Sequence, residues 1–187
     1  ELRNAGVTLP VMVMNPEKQS YDAMLQYNLE PEIFNFRVLK LFSEAAKRNY
    51  SLYPQKKDAG NLFPVHIKLD TGMHRLGFSE KEINELVVRI KNCKNIKINS
   101  VFSHLSSSDD PQQDDFTRLQ INKFREMSEI IVREFDYPII RHVLNSAGII
   151  RFPGSQFEMI RIGIGLYGIG TNPEEQKQLQ NVSTLKT

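Results

Sequence analysis

The feature that most constrains the fold is an alternation of strand-like and helix-like segments along the chain. Runs rich in β-branched residues are each followed by a polar turn and, in most cases, by a segment with the apolar spacing of an amphipathic helix. Strands are predicted at 9–14, 32–35, 65–70, 98–104, 139–145 and 159–168. Apolar helix faces are predicted at Ile83, Leu86, Val87 and Ile90, and at Phe124, Met127, Ile131 and Phe135. Helix starts are predicted at Asn15, at Asn35 and at a capping box formed by Ser79 and Glu82, and a polar loop is predicted at 51–63. Alternation at this spacing is typical of parallel strands joined by crossover helices. The sequence therefore predicts an α/β fold.

Two arrangements of parallel strands fit this pattern, an open doubly wound sheet and a (β/α)8 TIM-type barrel. Six strand–helix units in 187 residues fall short of a barrel, which usually needs about 250 residues. Polar residues nevertheless follow several different strands, as active-site residues do in barrels. These residues are Asp70, His104, Asn145, Ser146, Arg161 and Gly163. We therefore predict an incomplete barrel.

Composition excludes several classes of protein. The chain is 40% hydrophobic and 25% charged with a net charge of +2, which is ordinary for a globular domain. Basic and acidic residues are interspersed, so no nucleic-acid partner is expected. No apolar run approaches the roughly 18 residues of a membrane span, and no membrane partner is expected. The single cysteine, Cys93, favours a reducing compartment, so we predict a cytoplasmic protein.

The segment HIKLDTGMHRLGF at 66–78 places unusual polar residues on a strand. His66, Lys68 and Asp70 alternate with apolar residues and are expected to share one face. Arg75 follows the turn that Thr71 and Gly72 begin. A lysine and an arginine so close together repel each other at short range.

The last two predicted strands end in residues that suit a phosphate. Asn145 and Ser146 end one strand, and IRIGIGLYG, with Gly163, ends the next. Barrel enzymes often bind phosphate at this place with hydroxyl and backbone N–H groups. The alternative is that Ser146 caps a helix and the glycines allow close packing. Arg161 in the same strand needs a partner if it is buried, so a structural ion pair and a ligand contact both remain open.

A metal site is a further alternative. His66, Asp70, His104 and His142 lie at or near strand ends and could form a zinc-like ligand set in a barrel hydrolase. Such sites commonly contain closely spaced ligand pairs, and the sequence has neither H-x-H nor H-E-x-x-H. The metal hypothesis is therefore the less favoured one.

Four segments together resemble the bacterial alanine racemases: HIKLDTGMHRLGF, VFSHLSSSDD, HVLNSAGIIRFP and EMIRIGIGLYG. The resemblance implies a (β/α)8 barrel that uses pyridoxal 5′-phosphate to interconvert L- and D-alanine, supplying D-alanine for peptidoglycan, in a homodimer. It implies that strands 3 to 8 of the barrel are present, while strands 1 and 2 and a C-terminal β-domain are missing. Residues 1–175 would then be the partial barrel and 176–187 the start of the connection to that domain.

The resemblance also implies roles for residues around the cofactor ring. Arg75 is similar to the arginine that binds the phenolic oxygen, and His104 to the histidine packed beside the pyridine ring. Arg161 resembles the arginine facing the pyridine nitrogen, and His142 the histidine that supports it. Lys68 is similar to a lysine that is carbamylated in many members, and a carbamate there would hold Arg75.

The same resemblance places the cofactor's phosphate. Ser146 and the backbone of Gly163 and Ile164 correspond to part of the phosphate cradle, and Asn145 beside them is counted as cofactor-binding. The family's two catalytic bases, a lysine in a K-A-N-A-Y-G block and a tyrosine of the β-domain, have no counterpart here. We therefore expect no catalytic base in this chain, weak cofactor binding and no racemase activity from the chain alone. The other class of function left open is a non-catalytic binding or interaction module.

Overall fold

The computed structural model describes residues 1–52 and 62–182 and contains a parallel β-sheet. Its strands are β1 (Met12–Val13), β2 (Glu30–Ile33), β3 (Phe63–Lys68), β4 (Ile96–Phe102) and β5 (Ile140–His142). They lie side by side in chain order, and each pair of neighbours is parallel. A doubly wound sheet reverses its strand order, whereas a barrel wall does not. The order therefore favours the barrel over the open sheet.

Helices connect the strands. They are α1 (Tyr21–Gln26), α2 (Phe36–Leu52), α3 (Ile83–Lys91), α4 (Asp114–Arg133), α5 (Ser146–Arg151) and α6 (Pro173–Gln176). Short 3-10 turns lie at Lys18–Ser20, Glu80–Glu82, Pro111–Gln113, Pro153–Ser155 and Ile164–Tyr167. The apolar faces that the sequence predicts are buried at Ile83, Leu86, Val87 and Ile90 on α3 and at Phe124, Met127 and Ile131 on α4. The fourth residue predicted for the second face, Phe135, lies beyond the end of α4 and is half-buried. These faces form the core with the apolar residues of the strands.

Side-chain caps fix where two helical segments begin. The Oδ1 atom of Asn35 accepts the N–H of Val38 at 2.8 Å, as expected from the sequence. The predicted capping box is also confirmed, because the carboxylate of Glu82 accepts the N–H of Ser79 at 2.8 Å. The expected helix start at Asn15 is wrong. Asn15 has a φ of 45°, and the first helical turn begins only at Lys18.

The strand predicted at 159–168 is also wrong. The N–H of Met159 donates to the carbonyl of Arg141, and that of Arg161 to the carbonyl of Leu144. The offset between partners changes by one residue from the first bond to the second, so no regular ladder forms. A 3-10 turn, Ile164–Tyr167, then replaces the rest of the predicted strand. The segment still runs beside β5, which is what brings Arg161 to the sheet.

Two further observations complete the fold. Most of the loop predicted at 51–63 lies outside the described residues, which resume at Leu62. Its described ends differ from the prediction, because α2 extends to Leu52 and β3 begins at Phe63. Within the described ranges, no helix is both long enough and apolar enough to cross a membrane.

Candidate functional site

The residues that the sequence singles out converge on one cavity of about 550 Å³ at the carboxyl ends of the strands. They come from β3, the turn after it, the ends of β4 and β5, the start of α5 and the segment beside β5. The eight predicted residues that line the cavity are Lys68, Arg75, His104, Asn145, Ser146, Arg161, Gly163 and Ile164. The carboxyl ends of parallel strands meet at one rim, which explains why segments so distant in sequence come together.

The cavity carries positive charge. Lys68, Arg75 and Arg161 line it, against one carboxylate, Asp109, among its lining residues in the described part of the chain. Lys68 is paired, because its Nζ lies 2.8 Å from the carboxylate of Glu32 and both side chains are buried. Arg75 is exposed at the rim and forms no ion pair with a described residue. The balance favours an anionic ligand.

Arg161 is held almost entirely by backbone and histidine acceptors. Its Nη1 donates to Nδ1 of His142 at 2.6 Å and to the carbonyl of the same residue at 3.1 Å. Its Nη2 donates to the carbonyls of Ser103 at 2.6 Å and Val143 at 3.3 Å. Burial lowers the pKa of Arg161 to about 10, so it stays charged at neutral pH. Its Nε–H has no acceptor among the described residues, and a ligand in the cavity can use this donor.

Two histidines near Arg161 are neutral. His142 is fully buried, and this burial, together with the charge of Arg161, lowers its pKa to about 3. Burial, then the charges of Arg161, Arg75 and Lys68, lower the pKa of His104 to about 4. At neutral pH neither ring carries a positive charge. A neutral His142 can therefore accept a hydrogen bond from Arg161.

The glycine-rich segment wraps around the hydroxyl of Ser146. Its Oγ accepts the N–H of Gly163 at 2.9 Å and the N–H of Gly165 at 3.2 Å. A Cβ on Gly165 would lie 3.3 Å from this oxygen, so a side chain there would crowd the serine. The residue that caps α5 is Asn145, whose Oδ1 accepts the N–H of Gly148 at 3.0 Å. The alternative of a helix-capping Ser146 is thus replaced by capping through Asn145.

The segment 66–78 divides into two parts. His66 and Lys68 share one face of β3, as the alternation predicts, and there they are buried and pair with acidic side chains of β2. Asp70 instead stabilises the turn that follows, since its Oδ1 accepts the N–H groups of Gly72 and His74 at 3.0 Å each. The chain then returns to β3, where the N–H of Phe78 donates to the carbonyl of Lys68. This turn places Arg75 at the cavity rim.

The residues of the metal alternative are engaged with other partners. His66 and His142 both contact the hydroxyl of Ser100, His142 also contacts Arg161, and Asp70 holds its own turn. Across the ranges the structure describes, no group of three or more His, Cys, Asp or Glu side chains is placed to hold an ion. The geometry of the described residues thus gives the metal hypothesis no support.

Sequence reasoning missed two acidic residues of β2. Glu30 and Glu32 alternate on the strand and face His66 and Lys68 of β3 at 2.9 and 2.8 Å. The predicted strand at 32–35 began two residues too late to include both. A strand in which glutamates alternate with Pro31 and Ile33 could have indicated an inner face that needs basic partners.

The sequence is similar to that of known alanine racemases. The model of the family described as "Alanine racemase, N-terminal domain" matches residues 1–171. The chain is 34% identical over 192 aligned residues to an alanine racemase of Clostridium tetani, covering all of this chain and 47% of that protein. It is 34% identical to one of Prochlorococcus marinus, covering 90% of this chain and 42% of that protein.

Solved structures agree with the sequence comparison. The alanine racemase of Clostridium difficile 630 in complex with cycloserine superposes with a TM-score of 0.80 at 25% identity, covering 96% of this chain and 47% of that one. The chain spans about half the length of the curated relatives it matches.

Proposed function

The chain belongs to the alanine racemase family, and we propose that it forms the main cofactor-holding part of a pyridoxal 5′-phosphate-dependent alanine racemase. The observation that carries this proposal is that the seven predicted cofactor-binding residues, together with Lys68, line one cavity. In the intact homodimer, the enzyme would interconvert L- and D-alanine in the cytoplasm. Residues 1–175 would be the barrel part and 176–187 the connection that follows.

The residues present fit the cofactor. A phosphorylated pyridine is anionic, and the cavity carries positive charge. Arg161 offers an Nε–H that a pyridine nitrogen can accept, and Arg75 lies at the rim without an ion-pair partner among the described residues. Ser146, with Gly163, Ile164 and the neighbouring Asn145, would hold the phosphate, and neutral His104 would pack beside the ring.

Arg161 would determine how the cofactor behaves. When bound, the cofactor supplies a conjugated ring that accepts electron density from the substrate's α-carbon. A guanidinium offers donors alone and stays charged, so it cannot accept a proton from the pyridinium form and disfavours that form electrostatically. The ring facing Arg161 would therefore be a weaker electron acceptor than one facing a carboxylate. This favours return of the proton over side reactions.

The proton-transferring bases are proposed to come from elsewhere in the intact enzyme. No segment of the 187 residues resembles the K-A-N-A-Y-G block. We propose no catalytic residue in this chain and no racemase activity from the chain by itself, which an assay of D-alanine formation checks.

The first prediction concerns phosphate recognition. Pyridoxine 5′-phosphate is the probe, because it lacks the aldehyde and so cannot react with surface lysines. It should bind at least about tenfold more tightly than pyridoxine, because a charge-assisted phosphate contact contributes roughly 1.5 kcal/mol or more. Ser146→Ala should remove much of this difference. Isothermal titration of the 187-residue chain measures both affinities.

A matched control separates this contact from a general effect of the substitution. Ser155 lies outside the cavity, and its hydroxyl forms no hydrogen bond with a described residue, so Ser155→Ala should leave both affinities unchanged. Equal binding of the phosphorylated and unphosphorylated compounds would overturn the proposed function.

The carbamate on Lys68 stays a prediction, and the surroundings of Lys68 oppose it. A carbamate would replace the ammonium by an anion close to the buried carboxylate of Glu32, which now lies 2.8 Å from Nζ. We expect more carbamate in Glu32→Gln than in the unsubstituted chain. Carbon-13 NMR in labelled bicarbonate measures its occupancy. A fully occupied carbamate in the unsubstituted chain would show that Glu32 does not prevent it.

A further inference from the structure

A continuous series of hydrogen bonds, the relay, crosses the sheet from the cavity to β2. Nη1 of Arg161 lies 2.6 Å from Nδ1 of His142, and Nε2 of His142 lies 2.9 Å from Oγ of Ser100. The same Oγ lies 2.7 Å from Nδ1 of His66, and Nε2 of His66 lies 2.9 Å from a carboxylate oxygen of Glu30. The relay thus joins the cation Arg161 at the candidate site to the anion Glu30 on β2.

With both rings neutral, the chemistry of the two ends fixes every proton between them. Arg161 can only donate, so Nδ1 of His142 must be the acceptor and the neutral ring carries its proton on Nε2. That proton goes to Ser100, whose hydroxyl then donates to Nδ1 of His66, leaving the proton of His66 on Nε2. The carboxylate of Glu30 can only accept, and it receives this last proton. The cation and the anion therefore require the same arrangement.

The side chains of the relay are all buried. His142 is fully buried, Ser100 is 1% exposed, His66 7% and Glu30 8%. Hydrogen bonds in such an environment polarise one another, and a misdirected donor is costly. The hydrogen bond from His66 lowers the pKa of Glu30, and that of Asn99 adds to it, against the effect of burial. The nearby charge of Arg3 acts in the same direction.

A β-bulge in β4 positions the residues in the middle of the relay. Val65 pairs with Ile98, but the next residue, His66, pairs with Ser100, so β4 has one extra residue at Asn99. The bulge brings two consecutive side chains to the same network. Oγ of Ser100 contacts His66, while Nδ2 of Asn99 donates to the carboxylate of Glu30 at 2.9 Å. Regular pairing would turn these side chains to opposite faces.

We propose that Glu30, His66 and Ser100 are positioning residues that hold Arg161 through His142. Glu30 is the carboxylate that ends the relay, whereas the charge that acts directly on the guanidinium is that of Glu32, which raises the pKa of Arg161 against burial. The relay fixes the tautomer of His142, and the two Nη groups of Arg161 are then fully used by His142 and backbone carbonyls. This leaves Nε as the donor for the cavity. That this Nε–H donates to a pyridine nitrogen rests on the proposed function, whereas the relay itself does not depend on it.

Nitrogen-15 NMR of the histidine-labelled 187-residue chain tests the relay directly. At neutral pH, His66 and His142 should both be neutral with the proton on Nε2 and bare Nδ1. A proton on Nδ1 of either ring, or a doubly protonated His66, would reverse the direction of at least one hydrogen bond in the relay and overturn the proposal. This measurement needs no substitution and no ligand.

Substitutions in β4 test whether the two rings are coupled. Ser100→Ala should shift the ring nitrogen resonances of both His66 and His142, and Ser100→Thr, which restores a hydroxyl, should return them toward their original positions. Ser128 on α4 is the matched control, because it is equally buried and its hydroxyl donates to the carbonyl of Arg125 on the same helix. If Ser128→Ala shifts both rings as much as Ser100→Ala, the coupling is refuted.

Ligand binding tests whether the relay positions Arg161. Glu30→Gln should weaken pyridoxine 5′-phosphate binding about tenfold, the size expected when a charge-assisted hydrogen bond is lost. Glu85→Gln on the exposed side of α3 should leave it unchanged. Unchanged binding in Glu30→Gln would overturn the positioning role. If the unsubstituted chain does not bind the probe, the proposed function fails, and the NMR measurement alone decides the relay.

Discussion

Replacing Gly77 with alanine will destabilise the chain by about 3 kcal/mol or more, the scale of strained backbone combined with an atomic clash. Gly77 has a φ of 130°, which side chains rarely adopt. A Cβ there would lie 2.6 Å from both the backbone N of Asp70 and the backbone C of Leu69. Backbone atoms cannot move aside as a flexible side chain can. Urea-induced unfolding at neutral pH measures the change in free energy.

The same substitution should also damage the cavity. Gly77 closes the turn that carries Arg75 back to β3, where the N–H of Asp70 donates to the carbonyl of Phe78 at 2.9 Å. Gly154→Ala is the matched control, because a Cβ at Gly154 meets no atom within 4 Å and its φ is not positive. If the two alanine variants are equally stable, the close approach at Gly77 is not real.

Local sequence patterns predicted the elements that depend on local physics. The apolar spacing of Ile83, Leu86, Val87 and Ile90 predicts the buried face of α3, because a helix returns to the same side every three to four residues. Asn35 and the Ser79–Glu82 box mark helix starts for an equally local reason, since their side chains bond to N–H groups a few residues away. Such interactions need no knowledge of the rest of the chain.

The position of the cavity was predictable for a different reason. Parallel strands deliver their carboxyl ends to one rim, so polar residues such as His104 and Ser146 that follow strands must come close together. What this topology does not supply is the individual role of each residue. Those roles came from the family resemblance, and they stay predictions until ligand binding tests them.

The partners of buried charges could not be predicted from local sequence. The sequence suggested that Lys68 interacts with Arg75, seven residues away, whereas the structure pairs it with Glu32 on the neighbouring strand. This pairing depends on the register of β2 against β3, in which Glu32 lies opposite His66. Register is set by the whole sheet. The bulge at Asn99, which aligns Ser100 with His66, escaped prediction for the same reason.

Removing Lys68 while keeping Glu32 should have the other large effect. Lys68→Met should cost about 3–5 kcal/mol, because it leaves a carboxylate buried without its counter-ion. The Oε1 atom of Glu32 is buried and has the ammonium of Lys68 as its ion-pair partner, with no further hydrogen bond among the described residues. The N–H of Asn15 satisfies the other oxygen at 2.5 Å but adds no counter-charge. Urea unfolding again measures the loss.

Two further variants separate charge burial from lost packing. Glu32→Gln combined with Lys68→Met should recover a large part of the stability, since no unpaired charge then remains buried. Lys177→Met removes an exposed pair with Glu174 of similar length, 2.6 Å, and should change stability by no more than about 1 kcal/mol. If the double variant is no more stable than Lys68→Met alone, the loss comes from packing of the lysine stem, and Glu32 does not act as its counter-ion.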